Sequence, residues 1–299
     1  HLGGMPKHNA RHIFEEPRPD GQPDAFIALL AWQPGEGILS KMTTSFPGNT
    51  ARHGGPTVNS AYVFIDGETG VPRTIIDGQA MIFRKTAANT ALGSSLLTRD
   101  DAATMLMVGA GALAPYLVAA HRAVLPSLER VVVWNRTPRT AEHLVSRFRD
   151  EGIDAAAAPD LGSALEAADL VVTATMAGEP ILIGDRLKPG SHVSLVASFA
   201  PSMREAADAV LRRATVFVDH RQITQRSGEF LGPFARGVIS PGDVRADLFE
   251  LCQGTAPGRT SRDEITMMKI GGSSHMDYFA TKYLIDRLDG KPFSTTSAS

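Results

Sequence analysis

A single cysteine, Cys252, stands among 299 residues. That excludes a disulfide within the chain and suits a reducing, cytoplasmic compartment. It falls beside Leu248 and Leu251 on an amphipathic stretch, so it reads as a structural thiol. No apolar segment reaches transmembrane length and no secretory signal pattern is present, which argues against a membrane as solvent or destination. Runs of basic residues are also missing and the formal net charge is −2. Nucleic acid and anionic membrane are therefore not expected as main partners. No metal site is read from the sequence, and no repeats or low-complexity tract occur beyond a serine- and threonine-rich tail. The first residues, HLGGMPKH, read as the interior of a longer chain. Hydrophobic residues make up 43% and charged residues 21%, ordinary values for a globular protein with room for two domains or one large one.

What the chain does have is one stretch of unusual order, Thr104 to Thr137. An apolar run (Met105, Leu106, Met107, Val108) is short enough for a buried parallel strand. It leads into Gly109-Ala110-Gly111-Ala112-Leu113-Ala114, a G-x-G-x-x-A turn. Leu113, Leu117, Ala120 and Val124 then recur at helical spacing, and Val131 to Trp134 begin a second strand. Glycine turns alone occur in many loops, but strand, turn, helix and strand in that order are the context of a dinucleotide fingerprint. Gly109 permits the tight turn, Gly111 lets backbone approach a pyrophosphate, and Ala114 keeps the helix close to the sheet. The amides of the turn, at Ala112 and Leu113, supply donors at a helix N-terminus. The second strand ends in Asn135-Arg136-Thr137 instead of an acid. An acid would repel a ribose phosphate, whereas an amide, a guanidinium and a hydroxyl offer it donors. The cofactor is read as NADP(H). Thr137 also has a plainer reading as the cap of a helix that starts at Pro138.

Before this stretch the sequence is strand-rich. Ala25–Leu30, Ile38–Phe46, Ala61–Ile65 and Arg73–Ile76 read as strands, the last two flanking a hairpin signal at Asp66–Gly70. Gln79 to about Leu97 reads as a helix with a small-residue face (Ala87, Ala91, Ser94) suited to close packing on the nucleotide domain. From Asp101 strands and helices alternate, the signature of a doubly wound parallel sheet. Further strands are expected at Leu170–Thr175, His192–Ala197, Val216–Val218 and Ile265–Ile270. A helix after Pro138 should bury Ala141, Leu144, Val145 and Phe148. Ser202-Met-Arg-Glu205 reads as a capping box opening another helix, and Val244, Leu248 and Leu251 as a helical stripe ended by Gly254. A final helix (Phe279, Tyr283, Leu284, Leu288) is expected to pack back on the first domain. The fold class is thus α/β, a Rossmann-type doubly wound parallel sheet over 101–270. A discontinuous α+β domain for substrate binding and dimerisation takes 1–100 plus 271–299.

With these residues placed, the chain resembles the ornithine cyclodeaminase/mu-crystallin family over nearly its whole length. The motifs are Phe46-Pro-Gly-Asn49, Gly70-Val-Pro, Asp77-Gly78, Lys85-Thr-Ala-Ala88, Gly109-Ala-Gly111, Trp134-Asn-Arg-Thr137, Glu179-Pro-Ile-Leu182, Lys188-Pro-Gly190, Arg204-Glu205 and Glu264-Ile-Thr266. The similarity is greatest to the mu-crystallin-like branch, whose members bind NADPH and reduce cyclic ketimines. The resemblance implies a cleft between the two domains, a homodimer, and an amino- or imino-acid substrate. It places Lys41 where the family has its substrate-carboxylate lysine; by itself Lys41 would read as a strand lysine facing solvent. Lys85 stands where the family has arginine; it keeps the charge but not the bidentate fork, so its recognition of a substrate carboxylate or a cofactor phosphate should be looser. Thr57 matches a position near the nicotinamide, and a turn threonine is its alternative. Thr175 and Met176, with Val196 and Ser198, end the fourth and fifth strands of the nucleotide domain, where the cofactor would lie. The family's other substrate arginine corresponds to Lys7 or His8.

Two departures bear on the reaction. Cyclodeaminases carry an aspartate where this chain has Phe199, and phenylalanine neither shuttles a proton nor pairs with an ammonium. A family serine aligns with Ile270. Both changes make the pocket more apolar. The first reading is therefore an NADPH-dependent reductase of carboxylated imines, or the reverse dehydrogenase, with Lys41 and Lys85 holding the carboxylate. The alternatives are ornithine cyclodeaminase proper, which Phe199 speaks against, and a non-catalytic NADPH or small-ligand binding protein.

Overall fold

The computed structural model describes residues 6–8, 12–18, 23–198 and 201–291. Phe199 lies outside the described residues. Two compact units divide the chain, Leu2–Lys85 with Gly272–Ser299, and Thr86–Gly271. The helix Gly78–Leu97 carries the chain from one to the other.

In the first unit the strands are β1 (Lys7–His8), β2 (His12–Glu16), β3 (Asp24–Gln33), β4 (Gly37–Ser45), β5 (Val58–Asp66) and β6 (Pro72–Asp77). They form one antiparallel sheet in the order β1-β3-β4-β5-β6, with β2 also on β3. Strand side chains alternate between faces, so Ala31, Leu39, Tyr62 and Phe64 meet the final helix, Ser274–Leu288, around Tyr278 and Ile285. The helix packs back on this unit as expected, and of the expected stripe Phe279 and Leu284 lie against the core. Tyr283 and Leu288 are exposed, while Asp277, Tyr278, Thr281 and Ile285 are buried. Asp277 is tolerated on this inward face because the sheet supplies Lys41 and Tyr62 as its partners, which apolar spacing does not register.

In the second unit, β7 (Thr104–Val108), β8 (Arg130–Trp134), β9 (Asp154–Ala157), β10 (Leu170–Thr173), β11 (His192–Leu195), β12 (Ala214–Val218), β13 (Val244–Asp247) and β14 (Ile265–Lys269) form an all-parallel sheet. Its order is β13-β12-β14-β11-β10-β7-β8-β9. Alternation again divides the core: Met105, Met107, Val131 and Val133 pack with the helices Ala114–Val124 and Pro138–Asp150. Leu106, Val108, Val193 and Leu195 pack on the opposite side with Leu165, Val210 and Phe230. This double winding places the reversal of strand order between β7 and β10, where open parallel sheets bind ligands beyond their carboxyl ends. The helix after Pro138 buries Ala141, Leu144, Val145 and Phe148 as expected. Ala87 belongs to the sheet core, and a Cβ on Gly93 would stand 2.3 Å from the Met268 sulfur, so small residues set this helix-to-sheet distance.

Four local readings are corrected. Ser202–Glu205 does not open a helix; the next one is Asp208–Arg213. The Glu205 carboxylate that would have closed the box is drawn inward by Thr173, Thr175 and Ala197 instead. Val244 belongs to β13, and only Leu248–Cys252 is helical, started by a real capping box of Asp247 and Glu250. Thr137 precedes Pro138 as expected, yet its side chain makes no cap hydrogen bond. Val124, expected on the inward stripe of the fingerprint helix, is exposed, and His121 is buried in that helix.

Candidate active site

Each unit carries a candidate feature of its own. In the antiparallel unit, β4 directs Lys41 toward the helix-covered face, beside Tyr62 of β5 in register. Lys41 therefore does not face solvent; its side chain is 12% exposed. The helix Gly78–Leu97 turns Lys85 inward, 8% exposed, and leaves Arg84 outside with its guanidinium on the Ala80 carbonyl. Both ammonium groups point to one buried carboxylate, Asp277 in the first turn of the final helix. Lys85 Nζ lies 3.1 Å from Asp277 Oδ1 and Lys41 Nζ 3.5 Å from Oδ2. The Tyr62 hydroxyl donates to Asp277 Oδ1 at 2.7 Å, and Lys41 Nζ sits 5.2 Å from the Tyr62 ring centre. Burial raises the Asp277 pKa, but the charges of Lys41 and Lys85, with hydrogen bonds from Tyr62 and Lys85, outweigh it and hold the carboxyl below its ordinary range. Burial, then the charge of Asp277 and the bond to it, push the Tyr62 phenol far up. Gly272 (φ 67°) leaves room for this cluster, since a Cβ there would stand 3.3 Å from Lys85 Nζ.

Asp277 and Tyr62 have no signature in the sequence. Asp277 lies 236 positions from Lys41, and a tyrosine in an alternating strand reads only as core. Thr57 lies half-buried in the turn before β5, its carbonyl accepting from the Phe46 amide. Lys7 lies on β1 with its ammonium over the Trp32 ring.

The parallel-sheet unit contributes the glycine turn. Gly109 (φ 103°) lies so near β10 that a Cβ would meet the Ala174 carbonyl at 2.6 Å, so only glycine fits. Around Gly111 a Cβ would meet nothing within 4 Å, and the Ala112 and Leu113 amides have no protein acceptor among the described residues. Open space beside free N–H groups at the start of the helix Ala114–Val124 fits a pyrophosphate. Asn135 is committed to the fold: its Oδ1 accepts from the Ala110 amide at 3.2 Å and its Nδ2 donates to the Thr137 carbonyl at 3.0 Å. It thus shapes the turn, leaving Arg136 and the Thr137 hydroxyl exposed at the end of β8.

The other strand ends are tied by buried charge. Glu205 accepts from the Thr173 hydroxyl (2.7 Å), the Thr175 amide and hydroxyl (both 2.8 Å) and the Ala197 amide (3.1 Å). Thr175 is therefore occupied within the protein, while Met176 is exposed. Val196 is buried at the end of β11, its amide donating to the Thr173 carbonyl. Ser198 adopts φ 55°, a left-handed conformation rare for serine. It is held there by its hydroxyl on Glu229 (2.8 Å) and by Ser227 donating to its carbonyl (2.6 Å). Burial raises the Glu229 pKa and lowers that of Lys269, whose ammonium donates to the carbonyls of Leu195, Ala197 and Ile270. Ile270 is buried. Among the described residues no cluster of His, Cys, Asp or Glu is arranged to hold a metal, and no helix is long and apolar enough to cross a membrane.

With this geometry in place the relatives can be compared. The chain is 41% identical over 281 residues to the Δ1-pyrroline-2-carboxylate reductase of Paracoccus denitrificans, covering 94% of this chain and 87% of that protein. It is 34% identical to protein SAR DEFICIENT 4 of Arabidopsis thaliana over 85% of this chain and 80% of the other. Its fold matches a Thermococcus litoralis Δ1-pyrroline-2-carboxylate reductase, solved in complex with NADH and L-proline, with a TM-score of 0.87 at 24% identity over 98% and 91% of the two chains. Residues 29–292 match the ornithine cyclodeaminase/mu-crystallin family model, and the chain belongs to that family.

Proposed function

We propose that this protein is an oxidoreductase that reduces a carboxylated cyclic imine, with 1-pyrroline-2-carboxylate as the representative substrate, to the corresponding amino acid. The observation that carries the reading is the paired Lys41 and Lys85 ammonium groups, shielded from solvent and gathered at one carboxylate, Asp277. Such a pair binds a carboxylate and fixes the imine carbon beside it. The identity to the Paracoccus reductase supports the same substrate class. A bound nicotinamide dinucleotide supplies the hydride. The chain's part is to cradle the pyrophosphate on the amides of Ala112 and Leu113, and to anchor the substrate carboxylate. A protonated imine brings its own proton, so no acid side chain is required. Incubation with 1-pyrroline-2-carboxylate should consume the reduced cofactor and yield proline. An absence of turnover across a panel of cyclic ketimines, or proline and ammonia formed from ornithine without net cofactor use, would reject the reading.

The cofactor assigned is NADP(H), because β8 ends without an acid and with Arg136 exposed. Replacing Arg136 by alanine is expected to raise the KM for NADPH by about 10- to 100-fold, the weight of a charge-assisted contact. The KM for NADH should be little changed. Equal effects on both cofactors, or an NADH preference in the parent protein, would remove the assignment. The lone, half-buried Cys252, its thiol pushed up by burial, fits the cytoplasmic location read from the sequence.

The assembly assigned is a homodimer through the outward face of the antiparallel sheet. Register aligns Phe14 with Phe26, Trp32 with Ile38, and Ile75 with Val63 on this face. Phe14 is 64% and Ile75 78% exposed, and Leu30 and Trp32 are exposed beside Phe26. Contiguous apolar surface of this kind marks an interface. Replacement of Trp32 by glutamate is expected to convert a dimer to a monomer in sedimentation velocity at micromolar concentration. A parent protein that already sediments as a monomer would refute the assignment.

A further inference from the structure

We propose that Glu205 is a positioning residue that splits the ends of β10 and β11 and so leaves the Val196 carbonyl open to the carboxamide of a nicotinamide cofactor. The inference rests on the reading of the parallel-sheet unit as a nicotinamide dinucleotide site. Parallel strands exchange evenly spaced hydrogen bonds. Here the register pairs Leu170 with His192 and Thr173 with Leu195, and the amides of His192 and Val196 donate to the carbonyls of Asp169 and Thr173. The next rung of this ladder would be the Thr175 amide donating to the Val196 carbonyl. It is not formed. The Thr175 amide donates to Glu205 Oε1 at 2.8 Å instead, and the Ala197 amide to Glu205 Oε2 at 3.1 Å. The carboxylate thus stands where the pairing of the two strands would continue, and the hydroxyls of Thr173 (2.7 Å) and Thr175 (2.8 Å) hold it there. Its backbone is fixed as well: the Glu205 amide donates to Glu229, and the Glu205 carbonyl accepts from the amides of Ile181 and Leu182, both at 2.9 Å.

One acceptor at the end of β11 is left over. Lys269 donates to the carbonyls of Leu195 and Ala197, and Ser227 to that of Ser198. Among the described residues no donor reaches the carbonyl of Val196, which lies between them. A backbone carbonyl shielded from water and without a donor is costly, so it is set up to accept from a ligand. It lies at the carboxyl end of the sheet, where the glycine turn closes on Ala174 and where open parallel sheets bind ligands. A carbonyl accepts and cannot donate, so it suits an N–H group, and on a nicotinamide ring that group is the carboxamide. Holding the carboxamide sets the orientation of the ring.

Calorimetric binding tests this without turnover. Oxidised NADP and NAD are each compared with their 3-acetylpyridine analogues, in which a methyl ketone replaces the carboxamide and no N–H remains. The parent protein is expected to bind the carboxamide form about tenfold or more tightly than its analogue, the loss for a polar group left unpaired. In Glu205→Met the Thr175 amide has no carboxylate to meet and should pair with the Val196 carbonyl. Affinity for the carboxamide form should then fall by about tenfold while that for the analogue holds, which brings the ratio close to one. A residue that only stabilises the fold would weaken both ligands alike and leave the ratio where it was. If Glu205→Met does not fold, Glu205→Met with Thr173→Val, which also removes a hydroxyl stranded by the change, carries the same comparison. A parent ratio near one, or a parent ratio retained in the variant, overturns the inference and leaves the cofactor reading standing. A parent that binds none of these nucleotides overturns both.

Discussion

Replacing Lys41 by methionine is expected to lower kcat/KM for 1-pyrroline-2-carboxylate by about two to three orders of magnitude. The figure corresponds to about 3–4 kcal/mol, within the range for truncating one partner of a shielded charge pair. Methionine retains much of the lysine stem's volume and its packing on the Tyr62 ring, so the loss isolates the charge. Asp277 keeps Lys85 at 3.1 Å and Tyr62 at 2.7 Å, and is not left as an unpaired buried ion. Stability should therefore fall by only about 1–2 kcal/mol, the scale of one charge-assisted hydrogen bond. The two measurements separate the possibilities. A lysine serving only as counter-ion to Asp277 would show the modest loss in thermal unfolding with nearly normal kinetics. A carboxylate anchor shows the kinetic loss first, as a raised KM, with cofactor affinity unchanged. Kinetics within threefold of the parent would remove Lys41 from the site.

How much of this could be read in advance depended on how far apart the interacting residues lie. The fingerprint was legible because its parts are consecutive: strand alternation, Gly109 with its positive φ, and the helix stripe at Leu117 all act within one stretch. The burial of Ala141, Leu144, Val145 and Phe148 followed from spacing alone. β9, with the sequence Asp-Ala-Ala-Ala, has no strand propensity of its own and forms because β8 offers it an edge. Val244 fell into a helical period by chance, whereas pairing with β12 extends it.

Glu205 and Asp277 show the deeper limit. Glu205 sits where a capping box predicts a surface role, yet four donors from β10, β11 and their connections claim its carboxylate. Asp277 follows His275 and Met276 in a segment whose apolar spacing gives no reason to bury an acid. Only the three-dimensional arrival of Lys41, Lys85 and Tyr62 makes a buried aspartate tolerable there. A family resemblance located the lysines; the anion between them required coordinates.

A second large effect is expected in acid. Within the parallel-sheet unit a buried chain of polar side chains runs from the Leu117 carbonyl to Arg259. His121 Nδ1 is 2.7 Å from that carbonyl and must donate to it, so Nε2 accepts from the Ser94 hydroxyl at 3.0 Å. Ser94 then accepts from Ser194 (2.9 Å), and Ser194 from His192 Nε2 (3.1 Å). His192 Nδ1 lies 2.9 Å from the Thr266 hydroxyl, which accepts from Arg259 (3.0 Å) and donates to the Leu97 carbonyl (3.1 Å). From the Leu117 carbonyl to His192 Nε2 each contact is satisfied by one proton when both imidazoles are neutral. In that arrangement an added proton on His121 Nε2 would face a donor, the Ser94 hydroxyl. Burial accordingly lowers the pKa of His121 to about 4, and burial with the Arg259 and His121 charges lowers that of His192 to about 3. An unfolded chain takes up both protons below the ordinary histidine pKa of about 6.5, and the folded chain does not, so stability rises with pH across this window. It is complete above about pH 6.5 and should decline by roughly 3 kcal/mol per pH unit toward pH 4, two protons at 1.4 kcal/mol each. By about pH 4.5 the loss is on the order of 5 kcal/mol, comparable with the whole stability of many domains. Paired carboxylates such as Asp169 and Asp277 have lowered pKa values, so their stabilisation is lost only below the carboxylate range. The raised Glu229 carboxyl acts with the opposite sign. Urea unfolding at intervals from pH 7.5 to 4.5 should show this slope. A His121→Gln, His192→Gln variant should be less stable at neutral pH and nearly flat across the same interval. A parent slope unchanged by the double substitution would assign the acid sensitivity to other groups.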